Sequence, residues 1–158
     1  MDPEAKKKAL RMISYGLYVL TTKYEDEITA GTVNWLSQAS FEPPIVMVGI
    51  KKDSSLHRLI KKSNTFAVHI LGKDQKKFAQ NFFKPSKVEG NKISGAPFEI
   101  GKSGSPLLLD PPAFFECNVI ASIERGDHTV FVNEVIEAGV RREEEPLAMR
   151  DTGWSYGG

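Results

Sequence analysis

Between Ala113 and Val140 the chain carries two long runs of β-forming residues, Ala113 to Arg125 and His128 to Val140, joined by the tight turn Arg125-Gly126-Asp127. The second run alternates through Thr129-Val130-Phe131-Val132-Asn133-Glu134-Val135-Ile136, the period of a half-buried strand. Two strands joined by so short a turn leave no room for a crossover helix, so they must pair antiparallel. Upstream, Gly16 to Thr22 is rich in β-formers, Tyr24-Glu25-Asp26-Glu27 reads as a charged turn, and Ile28 to Asn34 resumes as a strand, which predicts a second hairpin. Ile45 to Lys51 is a buried strand by its unbroken apolar run, and Asn64 to Leu71 alternates as a strand.

Three helices accompany these strands. The first spans Pro3 to Ile13. The second runs from about Ser54 to Lys62, with Leu56, Leu59 and Ile60 on one face. The third opens at Asp74 as an N-cap, carries Phe78, Phe82 and Phe83 toward the core, and stops at Pro85. Ser86 to Pro112 holds four glycines and four prolines and reads as a loop that builds the substrate side of a pocket. About six strands against three helices, mostly in antiparallel hairpins, argue for a barrel rather than a doubly wound sheet. No repeat or linker divides the chain, and 158 residues suit a single domain over 1–158.

Composition removes several function classes. At 41% hydrophobic and 26% charged the chain is ordinary for a globular domain. No run approaches the roughly 18 apolar residues of a membrane span, and Lys6-Lys7-Lys8 precedes only a short amphipathic stretch, so the expectation is a cytoplasmic protein with no membrane partner. The single cysteine, Cys117, excludes an internal disulfide and reads as an inert thiol in a strand. Residues 51 to 92 hold eleven Lys/Arg against three Asp/Glu. Those cations are scattered and lack regularly spaced aromatic partners, so an anionic small molecule or an acidic protein fits them better than nucleic acid.

Catalytic motifs narrow the field further. No Gly-x-Gly-x-x-Gly follows a strand, so a Rossmann dinucleotide site has no support. Gly101-Lys102-Ser103 imitates the end of a phosphate loop, but five residues separate Gly95 from Gly101 where four are required. His57, His69 and His128 lack metal-ligand spacing, so no metal is expected. No Gly-x-Ser-x-Gly elbow presents a nucleophile.

What remains is a polar inventory in one hairpin-sized unit: Thr32-Val33-Asn34-Trp35-Leu36-Ser37-Gln38-Ala39-Ser40-Phe41-Glu42-Pro43-Pro44, the run Ile45 to Ile50, then Lys51-Lys52-Asp53-Ser54-Ser55. Hydroxyls, an amide, an indole and a basic turn are what a flat heteroaromatic phosphate ester requires. A strand running into a hydroxyl-rich turn and then a helix sets unpaired N–H groups and the positive end of the helix dipole beside an anion, with lysine adding charge. Asp53 or Ser54 would equally serve as a simple helix cap, and an Asp53 facing a phosphate would repel it, so Asp53 should point away. Trp35 is either a core residue or a cofactor neighbour. His128 is either a structural histidine bonded to a backbone carbonyl or an imidazole reaching a pocket from the start of a strand.

Four phrases in order carry a resemblance: Thr32-x-Asn34-Trp35-x-x-Gln38-x-Ser40-Phe41-x-Pro43-Pro44; Thr65-Phe66-Ala67-Val68-His69-Ile70-Leu71; Gly104-Ser105-Pro106-Leu107-Leu108; and Gly126-Asp127-His128-Thr129-x-Phe131-x-x-Glu134-Val135. They resemble the flavin reductase-like family of FMN-binding split barrels, from about Gly16 to the terminal Gly153-Trp154-x-Tyr156-Gly157-Gly158. Val33 and Asn34 stand where that family commonly has Ala and Ser; asparagine keeps the hydrogen-bonding capacity.

The resemblance implies a mainly β, six-stranded antiparallel split barrel of Greek-key type with a few flanking helices, forming a homodimer with FMN near the subunit interface. It implies that Thr32, Val33, Asn34 and Trp35 border the isoalloxazine. Gln38 and Ser40 would lie toward the ribityl chain and phosphate, and Lys51, Lys52, Ser54 and Ser55 would complete the phosphate cradle. His128 would orient substrate or donate a proton on the nicotinamide side. The implied activity is NADH- or NADPH-dependent reduction of bound flavin, with electrons leaving to free flavin, ferric iron or an acidic carrier such as a rubredoxin or ferredoxin. The alternative is an FMN electron-transfer protein that never engages a nicotinamide, and a third reading is a flavin-free binding module. The aromatic tail from Gly153 to Gly158 should pack on the barrel or on a partner subunit.

Overall fold

A computed structural model describes all 158 residues. The first hairpin pairs Tyr18–Tyr24 (β1) with Glu27–Val33 (β2) across the two-residue turn Glu25-Asp26, in which Glu25 takes a positive φ of 52°. Leu36–Ser40 (β3) and Ile45–Lys51 (β4) pair next, followed by Thr65–Ile70 (β5). Val88–Glu89 (β6), Lys92–Ile93 (β7), Ala96–Ile100 (β8) and Pro106–Leu108 (β9) are short, and Ala113–Ile123 (β10) and His128–Val140 (β11) form the long hairpin. The main sheet is antiparallel throughout in the order β2-β1-β5-β10-β11-β4-β3.

Every strand anticipated from the sequence is present, but the sheet has seven strands instead of six. The extra one is β3, whose Leu36-Ser37-Gln38-Ala39-Ser40 does not alternate and is mostly exposed, as an edge strand can afford. Ser86 to Pro112 is likewise not one loop. It folds into a second sheet, β6-β7-β8-β9, whose strands are too short to show a period and turn at Gly90 and Gly95 with φ of 59° and 83°.

Period-2 alternation splits the apolar residues between two cores. On β1, Val19 faces one and Leu20 the other. Leu20 shares its cluster with Val48, Ile50, Phe66 and Phe131, so strands from opposite ends of the sheet meet around one interior, which is the closure of a barrel. Register shifts in the β10–β11 ladder between Glu116 and Cys117 and between Val119 and Ala121 supply the extra twist that a curled hairpin needs. Val19 and Ala30 pack outward against Ile93, Ala96 and Leu108 of the second sheet.

Three helices complete the chain: Pro3–Arg11 (α1), Ser55–Ser63 (α2) and Lys76–Gln80 (α3). Helix α2 buries Leu56, Leu59 and Ile60, the face its sequence predicts, and Leu56 lies over Gly31 of β2. Helix α3 is shorter than expected. Gln75, not Asp74, precedes it, with no side-chain cap; the Gln75 amide instead accepts from Gly72 N and donates to the Asp110 carbonyl. Phe82 reaches the core but Phe83 does not, because adjacent residues on a turn point about 100° apart. Helix α1 buries no residue. No helix is long and apolar enough to cross a membrane.

Candidate functional site

A cavity of about 780 Å³ opens where the C-terminal end of β2 approaches the C-terminal end of β4. Residues 30–34 form one wall and residues 49–51 another; the start of α2, the segment 82–85 and the tail residues 154–156 complete it. The volume lies within the range of small-molecule and cofactor sites, about 300–1,000 Å³.

The basic turn after β4 builds one end. Ser54 is the N-cap of α2 in an extended conformation; its Oγ accepts from His57 N at 3.1 Å and donates to the Lys51 carbonyl at 2.7 Å. Its hydroxyl is therefore committed to the cap, while the N–H groups of Ser55 and Leu56 stay without intrahelical partners at the positive end of the helix. The Ser55 hydroxyl meets Thr29 Oγ1 at 2.9 Å and fastens α2 to β2. Asp53, expected to point away from the site, contributes to the cavity lining, and its largely exposed carboxylate lies 3.5 Å from Lys51 Nζ. That ion pair neutralises it, and Lys84 gives the wall a surplus cation.

Along β2, Thr32 Oγ1 donates to the Ala79 carbonyl at 2.7 Å, tying α3 to the site, and its lone pairs remain free to accept. Val33 lies half-buried beside it. Asn34 is only 5% exposed, lines the cavity, and its Nδ2 has no hydrogen-bond partner. A buried donor left unpaired costs on the order of 1–3 kcal/mol, and no protein group fixes the Asn34 amide in this orientation.

Trp35 backs the wall without lining it. It packs on Gly49, where a Cβ would come within 3.3 Å of the indole and push the ring back by a few tenths of an ångström. Its ring sits 4.5 Å from His128 and 5.1 Å from Tyr156. Gln38 and Ser40 lie on edge strand β3, the Gln38 amide donating to the Ser40 carbonyl at 3.2 Å, and neither borders the cavity. Lys52 is also outside it: Nζ donates to the Glu124 carbonyl at 2.7 Å and the backbone N–H to the Asp127 carbonyl at 3.0 Å, so it fastens the β10–β11 turn. The fold thus gathers Thr32, Val33, Asn34, Lys51, Ser54, Ser55 and His128 around one cavity and leaves Trp35, Gln38, Ser40 and Lys52 off its wall.

His128 opens β11 directly opposite Lys51. Nδ1 lies 2.8 Å from Asp127 Oδ1 and Nε2 lies 2.7 Å from the Tyr156 phenol oxygen. The bond to His128 holds the Asp127 carboxyl below its ordinary range, and burial pushes the Tyr156 phenol up. A protonated phenol donating to Nε2, with Nδ1–H donating to the carboxylate, satisfies all three groups. The imidazole is bonded to side chains and not to a backbone carbonyl.

Two parts of the wall were not read as site from the sequence. Phe83 stands 54% exposed at the cavity, its ring 4.9 Å from Trp154. The tail packs on its own barrel: Trp154 and Tyr156 line the cavity and Arg11 Nε donates to the Gly157 carbonyl at 3.0 Å. Its aromatic residues were the only signal. His57 and His69 have structural partners: His57 Nε2 bonds Thr129 Oγ1 at 2.7 Å, while His69 Nδ1 donates to the Val19 carbonyl and Nε2 accepts from Leu108 N, each at 2.9 Å. Cys117 is buried, which pushes its thiol up to about 12.

Residues 10–157 match the family described as flavin reductase like domain. The NADH-dependent flavin reductase StyB of Pseudomonas fluorescens is 33% identical over 92% of this chain and 84% of its own length. The high molecular weight rubredoxin of Moorella thermoacetica is 29% identical over 89% of this chain and 62% of its own. The putative diflavin flavoprotein A 2 of Nostoc is 30% identical over 91% of this chain, which spans only 25% of that protein. Among solved structures, flavin reductase PheA2 superposes with a TM-score of 0.81 at 29% identity, covering 99% of this chain and 98% of that one. A barrel shared end to end, and a domain match that takes in both the β2 wall and the His128 phrase, lead to one assignment: the chain belongs to the flavin reductase-like family.

Proposed function

We propose that the chain is an NAD(P)H:flavin oxidoreductase that binds FMN in the cavity between β2 and β4. The observation that carries this reading is the buried, unpartnered amide of Asn34 on a cavity wall that ends at the N-terminus of α2. A flavin ring edge offers carbonyl and imine acceptors for such an amide, and its phosphate suits the free N–H groups of Ser55 and Leu56 with Lys51 and Lys84 nearby. Bound FMN would supply the hydride acceptor and the means of passing electrons on, while the protein supplies placement.

The chain's own residues have distinct tasks in this account. Thr32 and Asn34 orient the ring edge, and Val33 covers it. Lys51 and the start of α2 hold the phosphate; Ser54 contributes by capping the helix, and Ser55 by locking it to Thr29. His128, fixed by Asp127 and Tyr156 against Trp35, orients the nicotinamide or supplies a proton at the ring edge. Gln38, Ser40 and Lys52 have no direct part within one protomer.

In this role the protein would act as a cytoplasmic homodimer. The partly exposed face that joins Met47, Val132 and Ala121, and next to them Val130 and Ile123, adjoins Gly49 under Trp35 and would bury apolar surface against a second copy. Electrons would leave to free flavin, ferric iron or an acidic carrier such as a rubredoxin or ferredoxin. The basic stretch from Lys51 to Lys92 supports the carrier, and charge reversal at Lys76, Lys77 and Lys84 should abolish carrier-dependent turnover and its salt dependence.

Anaerobic addition of NADH, then NADPH, to the FMN-loaded protein tests the activity. Bleaching of the flavin band supports the reductase. A band that persists with both nucleotides but bleaches with dithionite supports the electron-carrier alternative.

A further inference from the structure

Behind the aromatic tail lies a second cavity, of about 370 Å³, which the flavin account does not use. Its size falls within the range of small-molecule sites. The stretch that follows α1 forms one side, the short 3₁₀ helix Met149–Thr152 another, and the tail residues 154–156 close it. Hydrogen bonds fix this frame. Met149 N donates to the Tyr15 carbonyl at 2.9 Å, Leu17 N to the Leu147 carbonyl at 3.3 Å, and Arg11 Nε to the Gly157 carbonyl at 3.0 Å.

The lining is one-sided in charge: it contains Arg11 and Arg150 and no Asp or Glu. Arg11 has no carboxylate within ion-pairing distance, and Arg150 has only Asp151, at 3.9 Å. The Gly157 carbonyl takes Arg11 Nε and so orients the guanidinium, leaving its two terminal nitrogens for another acceptor. Beside them Met12 and Ile13 stand 83% and 49% exposed, apolar surface that the fold leaves uncovered at this cavity. Ser14 and Tyr15 bring hydroxyls to the same wall.

We infer that this second cavity is an effector site for a small carboxylate with an apolar body. A guanidinium fork meets a carboxylate through two parallel N–H···O bonds, and Met12 and Ile13 cover the body. An inorganic anion would leave that apolar wall in water, and a neutral apolar molecule would leave the guanidiniums unmatched. Met149, Trp154, Ser155 and Tyr156 line both cavities, so the tail is the partition between them. A ligand behind it holds Tyr156 in its bond to His128 and orders the wall of the first cavity in advance, which tightens FMN binding. That coupling, unlike the binding itself, rests on the flavin reading of the first cavity.

Equilibrium dialysis of the flavin-free protein with 2-naphthoate, and with 2-naphthamide as its neutral counterpart, tests the site. The carboxylate should bind at one per chain and about tenfold more tightly than the amide, the worth of a hydrogen bond to a charged group. Arg150→Gln leaves the Arg11–Gly157 bond in place and should weaken naphthoate about tenfold. Ile13→Asp sets a like charge on the apolar wall and should abolish its binding. Equal affinities for carboxylate and amide, or an affinity that neither variant changes, overturns the site. So does naphthoate that FMN displaces one for one, since the probe then sits in the first cavity. Saturating naphthoate should tighten FMN about fivefold, and FMN should tighten naphthoate by the same factor. Equal FMN affinities with and without naphthoate overturn the effector role. A protein that takes up no FMN yet separates naphthoate from its amide refutes the flavin reading and supports this site.

Discussion

The phenol of Tyr156, in the aromatic tail, is hydrogen-bonded at 2.7 Å to Nε2 of His128, the first residue of the last long strand. Through that bond, and the contact of both rings with Trp35, the tail becomes a wall of the cavity. Tyr156→Phe keeps the ring contact and removes the bond. A part-exposed hydrogen bond contributes about 1 kcal/mol, so the tail should open about fivefold more often. Trypsin cleavage after Arg150 should accelerate by that factor; an unchanged cleavage rate would show that the bond does not hold the tail.

Asn34 separates the needs of the ligand from those of the fold. In Asn34→Leu the apolar side chain removes the unpaired donor at similar volume, so stability of the flavin-free protein should hold or rise slightly. FMN affinity should fall about tenfold, the worth of one buried hydrogen bond. Calorimetry on both proteins, with and without FMN, reads the two effects. Equal FMN affinities would remove Asn34 from the site.

His69 makes stability depend on pH in a defined direction. With Nδ1 donating to Val19 and Nε2 accepting from Leu108, it is bonded as the neutral ring, and burial pushes its pKa down to about 4. In the unfolded chain it titrates near about 6.5. Between these values the unfolded state binds a proton that the folded state excludes, so stability is full above about 6.5, declines as pH falls, and levels off below about 4. His57, also lowered chiefly by burial, adds to the same trend. Urea midpoints of wild type should therefore fall from pH 7.5 to pH 5. His69→Gln should start lower and fall less steeply. Parallel slopes would exclude His69 as the source.

The loop that imitates a phosphate motif binds an anion from the chain itself. The Glu116 carboxylate, fully buried on β10, accepts from Lys102 N at 3.1 Å, Ser103 N at 2.8 Å and Ser103 Oγ at 2.6 Å. Glu116→Ala leaves these donors unpaired and should cost on the order of 3 kcal/mol. Urea denaturation measures it; a loss under about 1 kcal/mol would mean that water replaces the carboxylate without penalty.

The parts of this fold that were legible in the sequence are those where one physical pattern dominates. The unbroken run Ile45 to Lys51 and the alternation after His128 both became strands with the expected bounds, and Leu56, Leu59 and Ile60 became the buried face of α2. Strand β3 and the small second sheet were not legible, because an edge strand with exposed Ser37 and Gln38 and strands of two residues carry no periodicity. Within the site, Thr32, Asn34 and His128 were recognisable from motif order. Gln38, Ser40 and Lys52 came from the family resemblance; within one protomer Gln38 and Ser40 lie on β3 at the far edge of the sheet, and Lys52 fastens the β10–β11 turn. Phe83 and Trp154 meet only through the tail's return across the barrel, a contact between residues 71 positions apart that local pattern does not reveal.

Flavin binding itself tests the account most directly. Purified protein titrated with FMN, followed by flavin fluorescence and by absorbance near about 450 nm, should saturate at one FMN per chain, with Asn34→Leu binding more weakly. If wild type takes up no FMN, the cavity between β2 and β4 is not a flavin site and the proposed activity falls with it.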